Sequence, residues 1–75
     1  MKVWVVEDTE FNKEVVGSAE KAYEVIKGWI EEVFDTPALA ETKKGALAEL
    51  DEDYKNYPTD FAVENFAWAV AYDVY

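Results

Sequence analysis

The stretch Glu49–Asp60, ELDEDYKNYPTD, places five carboxylates, two tyrosines, one lysine and one proline in twelve residues. Carboxylates at that density allow three readings. They form a calcium loop, they imitate a polyanion toward a basic partner, or they merely make up a solvated connection between two elements. An EF-hand loop needs oxygen ligands at positions 1, 3 and 5, glycine at 6 and glutamate at 12. Counted from Asp51, those positions fall on Asp51, Asp53, Lys55, Asn56 and Ala62, so the last three fail. Counted from Asp53, the third position is Lys55. The stretch is therefore not an EF-hand, and only weak divalent binding by Asp51 and Asp53 is left to it. A glycosidase pair needs a sugar cleft, for which a chain of 75 residues has little room beside its core.

Other catalytic chemistry lacks its parts. With no histidine and no cysteine, the chain offers neither a nucleophilic triad nor a thiolate or imidazole metal site. Ser18, the single serine, is better placed as a helix cap, and Gly17, Gly28 and Gly45 are too scattered to cradle a phosphate. No enzyme activity, cofactor or metal is expected. Presentation of charge remains. Seventeen acids against seven lysines, with no arginine, leave a net charge of −10. A field of that sign repels nucleic acid and anionic lipid, and the lack of arginine argues against phosphate ligands. It attracts basic protein surfaces, although an acidic balance also serves plain solubility.

The elements that must hold these residues follow from periodicity. Lys2–Asp8, KVWVVED, is apolar on both faces, with Val3 and Val5 on one and Trp4 and Val6 on the other, as in an interior strand. DTEFN supplies a turn, and KEVVG a second, shorter strand ending at Gly17. Ala19–Phe34 follows Ser18 as a helix whose apolar face comprises Ala22, Tyr23, Ile26, Trp29, Ile30 and Val33. After the DTP break, Leu39, Ala46, Leu47, Leu50 and Tyr54 predict a second helix from Pro37 to Asp53. The tail alternates after Asn65, with Phe66, Trp68, Val70 and Tyr72 on one face and alanines on the other. That period of two favours a strand, with a bulge or bend near Glu64–Asn65, over a helix across residues 59–69. The large side chains are expected to pack on the first helix and the alanines to face solvent or a partner. One α+β domain over residues 1–75 results, in ββααβ order, with about three strands and both helices on one face.

Two charge patterns stand out. Glu20, Glu24, Lys27, Glu31 and Asp35 are spaced by 4, 3, 4 and 4 residues and form a helical stripe, about 22 Å long at ~1.5 Å per residue. Glu49, Asp51, Glu52 and Asp53 stand at the end of the second helix, where the dipole disfavours carboxylates by ~0.3–1 kcal/mol each. A solvated surface explains the stripe equally well, but local stability does not choose the second cluster. Tyr54 and Tyr57 beside it are candidate aromatic anchors or turn caps.

The opening KVWVV strand and the segment VVGSAEKAYEVIKGWIEE resemble small proteins of bacteriophages and mobile elements. In size, charge and lack of His and Cys the chain also resembles anti-CRISPR and other anti-defence inhibitors. That resemblance implies a non-enzymatic inhibitor of a basic host protein that handles nucleic acid, such as a CRISPR nuclease, through a surface that partly mimics nucleic acid. The residues expected to carry it are Glu49, Asp51, Glu52, Asp53, Tyr54 and Tyr57, with Glu20, Glu24, Glu31 and Asp35 as a second patch. The alternative is an interaction module that self-associates as a homodimer through the exposed face or edge of the last strand, near Trp68 and Tyr72. Neither reading involves direct nucleic-acid or membrane binding. Without cysteine, an apolar leader or a long apolar run, a cytoplasmic location is expected.

Overall fold

Two strands, two helices and two strands follow one another along the chain. The computed structural model describes residues 1–75 and contains β1 (Lys2–Asp8), β2 (Lys13–Val16), α1 (Ala19–Val33), α2 (Ala40–Asn56), β3 (Asp60–Val63) and β4 (Ala67–Asp73). Ser18 is extended and its hydroxyl accepts the Lys21 N–H at 3.1 Å, which starts α1. α1 buries Ala22, Ile26 and Ile30. It ends at Phe34, whose N–H donates to the Ile30 carbonyl. The second helix differs from the expected Pro37–Asp53. Pro37–Leu39 form a separate 3-10 turn, and α2 begins at Ala40 and continues to Asn56. The fixed φ of Pro37 starts a turn readily, but no side chain caps the N-terminus of α2.

The sheet has four strands, not three. Its order is β2-β1-β4-β3, antiparallel throughout, and the chain order is ββααββ. The bend near Glu64–Asn65 is a complete hairpin turn. Asn65 takes φ 61°, a left-handed conformation that asparagine tolerates, and the Phe66 N–H closes the turn on the Val63 carbonyl at 3.0 Å. DFAV was too short a run to read as a strand of its own. β1 is interior, as its two apolar faces predict. β4 is interior as well, so the last strand offers no free edge.

Both helices cover one face of the sheet. α1 lies on β1, β2 and β4, and α2 lies on β3. Between them Val6, Ile26, Ile30, Leu50 and Phe61 are sealed from solvent. The packing of β4 is the reverse of the expected one. Ala67 and Ala69, 0% and 1% exposed, face the helices, while Trp68 and Tyr72 are 37% and 54% exposed on the other side. The register explains it. Ala69 stands between Val6 on β1 and Phe61 on β3. With those side chains on either flank, only a small residue leaves room for the isoleucines of α1, since large and small residues must alternate across a dense core.

Candidate interaction surfaces

The carboxylates at the end of α2 have a structural task. β3 is an edge strand, and its outward N–H groups come every second residue, at Asp60, Ala62 and Glu64. Asp60 donates to the Tyr57 carbonyl at 3.1 Å. Ala62 donates to Asp53 Oδ2 at 2.8 Å, and Glu64 donates to Glu49 Oε2. The spacings match: four residues on a helix advance ~6 Å and two on a strand ~6.7 Å. α2 runs antiparallel to β3 and serves as a surrogate neighbouring strand. An unprotected edge invites pairing with another chain, so the cost of acids near a negative dipole end is offset by closure of that edge.

Asp51 is engaged too. Its Oδ1 accepts the Tyr23 hydroxyl and ties α2 to α1. The Tyr23 ring lies 4.9 Å from Tyr54, which packs T-shaped with Phe61 at 5.1 Å, so Tyr54 has packing contacts of its own. The hydrogen bond to Asp51, followed by burial and then the charges of Asp51 and Glu31, pushes the Tyr23 hydroxyl up to about 12. Tyr23 thus links α1 to Asp51 of the second predicted acidic cluster. Glu52 and the stripe residues Glu20, Glu24, Glu31 and Asp35 are exposed, and Tyr57 is 61% exposed at the exit of α2. The one ion pair in the molecule is Lys2–Asp73 at 2.9 Å, off the helices.

The uncovered face of the sheet is apolar. Paired residues share a face, so one row runs Val15–Val5–Val70 from β2 to β4, and a second pairs Val3 with Tyr72. A third row runs Lys13–Glu7–Trp68–Ala62. Val15 is 61% exposed. With Asp60 beside Val70, the face carries two acids and one lysine, a net −1 in a chain of −10. Sequence reasoning placed Trp68 and Tyr72 on one side of β4 and assigned that side to the helices in one reading and to an exposed face in the self-association alternative. The apolar residues on both sides of β1 were the signal that a second contact surface existed.

A third feature lies in the β1–β2 turn. Asp8 Oδ1 accepts the N–H groups of Glu10 and Asn12, each at 2.9 Å, and Oδ2 accepts the Asn12 side-chain amide at 2.8 Å. The Asn12 side chain chiefly, helped by the two backbone amides against a burial effect, holds this carboxyl below its ordinary value. The turn presents Phe11 with φ 67° and 92% exposure. A cleft of about 600 Å³ lies beside the turn, lined by Asp8, Glu10, Glu32, Trp29, Phe34 and Phe66 among others. No three carboxylates come close enough together to hold a metal ion, and no helix is long and apolar enough to cross a membrane. Comparison with protein-family models, with curated proteins and with solved structures finds no match, and no relative therefore lends these residues a role.

Proposed function

We propose that this chain is a non-enzymatic binding protein that works by protein–protein contact through the open face of its sheet. The uncovered rows Val15–Val5–Val70 and Val3–Tyr72, extended by Trp68, carry this reading. Contiguous apolar surface on a small domain costs solubility and marks a contact site. Trp68 and Tyr72 are the aromatic kind of side chain that dominates interface energetics.

A second use rests on a different observation. The exposed acids of α1 and Glu52 have no lysine within ion-pair distance, the Lys2–Asp73 pair being elsewhere. Such a surface suits a basic protein that handles nucleic acid, in the manner of a phage-type inhibitor that imitates a polyanion and blocks a CRISPR nuclease. Support for this use is weaker than sequence reasoning implied, because Glu49, Asp51 and Asp53 have structural work that accounts for them.

Two variants separate the uses. Trp68→Lys/Tyr72→Lys alters the open face, and Glu20→Gln/Glu24→Gln/Glu31→Gln/Glu52→Gln neutralises the helical layer. Bound partners are captured with each. Loss of capture with the first variant and retention with the second is the expected outcome. The reverse pattern, together with binding that collapses between low and moderate salt, would establish the acidic surface instead.

A further inference from the structure

We infer that the occupant of the open sheet face is a second copy of this chain, packed face to face to form a two-sheet sandwich with the helical layers outermost. The inference rests on the reading of that face as the contact surface and names its partner. Charge distribution is the first ground. A basic partner would seek the helical layer, which with Asp35 carries half of the net charge. The open face holds a net −1 of the chain's −10, with Lys13 directly opposite Glu7 across the β1–β2 pair. It therefore suits another near-neutral apolar face, and its own copy presents one. In a sandwich the two acidic layers stand on opposite outsides, with both sheets between them, so their repulsion is as small as a dimer allows.

The second ground is the state of the sheet edges. The outward N–H groups of β3 are already taken by Tyr57, Asp53 and Glu49, and β4 is interior. Strand addition at that side is closed, which leaves only the four-residue edge of β2, whereas face packing needs no free backbone group. Stacked sheets sit ~10 Å apart with their strands within about 30° of each other. At that spacing Trp68 and Tyr72 fill the gap while the central valines meet across it.

The third ground is size. Strands of seven, four, four and seven residues, at ~3.3 Å per residue and ~4.8 Å between strands, give a face of about 350 Å² in projection. Upright side chains enlarge the accessible area beyond that, toward the ~600 Å² per partner at the lower end of specific interfaces. A reversible dimer is therefore expected, with a dissociation constant of roughly 1–100 μM. An isologous two-fold contact closes on itself and stops at two copies.

The test is sedimentation equilibrium of the full chain from ~1 μM to ~1 mM, at low and at high salt. The expected result is a monomer–dimer equilibrium between the 8.6 kDa chain and twice that mass, tightening as salt screens the like charges. Trp68→Lys and Tyr72→Lys, both at exposed positions, are each expected to weaken the dimer by about 10-fold or more with an unchanged circular dichroism spectrum. A dimer that both variants leave intact overturns the inference, as does one that dissociates with added salt. So does a chain that stays monomeric to ~1 mM. In that last case a neutral paramagnetic cosolvent is added and the Val5, Val70 and Trp68 resonances are followed. Broadening shows an open apolar face, so the contact-surface reading survives and only the second copy is lost. Protection of those resonances in a monomer removes both.

Discussion

The Tyr23 hydroxyl shows how one phenol reports on the packing of two helices. Its proton is held by Asp51 and its ionised form is opposed by Asp51 and Glu31. The folded state therefore keeps the phenol neutral beyond the ordinary 10.0, up to about 12. The contribution to stability is fully present below pH 10, where the phenol is neutral in both states. It is lost as the pH rises toward 12, because the unfolded chain releases the proton first. In a spectrophotometric titration of the five tyrosines, one is expected to ionise late, near pH 12. Tyr23→Phe should remove that late phase. Asp8 behaves with the opposite sign. Its carboxyl is depressed below 3.8 by Asn12 and Glu10, so its contribution to the β1–β2 turn is present above the unfolded value. It is lost as the pH falls through the lower folded one. The amide resonances of Glu10 and Asn12 should share one acid transition with a midpoint below 3.8. Phe11 remains the residue with the least structural justification. A bulky side chain at φ 67° with 92% exposure gains little from its own fold.

At the scale of elements, α2 does two jobs with adjoining sides. Ala46 and Leu50 face the core, while Glu49 and Asp53, one turn apart, close the β3 edge. Asp53→Ala leaves the Ala62 N–H without its charged acceptor, which is expected to cost ~1.5–3 kcal/mol in urea unfolding. It should also raise the aggregation rate through the freed edge. Glu52→Ala, one residue away and without a hydrogen bond, is expected to stay within about ±0.5 kcal/mol. Equal losses in the two variants would contradict the edge-closing role. Gly28 and Gly45 give a prediction in the stabilising direction. An added Cβ at either meets nothing within 4 Å, and neither has positive φ. Gly28 therefore makes no close approach to another backbone. Gly28→Ala and Gly45→Ala are each expected to raise stability by about 0.5–1 kcal/mol, measured by thermal unfolding.

For the whole molecule, the two surfaces respond to salt in opposite directions. Contact through the apolar face between two chains of net −10 strengthens as salt screens their repulsion. Contact of the acidic helical layer with a basic protein weakens under the same change. The faces lie on opposite sides of the molecule, so neither use blocks the other. A dimer joined by its sheets would present two acidic layers at once. Small size makes this economical: two helices can cover only one side of a four-stranded sheet, and the other side is available for contact.

Legibility followed the range of the forces involved. The Ser18 cap, α1, the interior placement of β1 and the alternation of β4 are recorded in local periods and caps, and the sequence by itself determined them together with the α+β class. The net charge and the lack of histidine and cysteine were equally plain. Relations between distant residues were not. Residues 60–63 form a strand because β4 and the carboxylates of α2 supply partners for their backbone. The orientation of β4 was decided by Val6 and Phe61, far from it in sequence, which leave room only for alanine between them. The acids of ELDEDYKNYPTD looked like a cluster aimed outward because a helix dipole is a local effect. Only the tertiary structure brings β3 alongside, and there Glu49, Asp51 and Asp53 become the acceptors that its backbone and Tyr23 require.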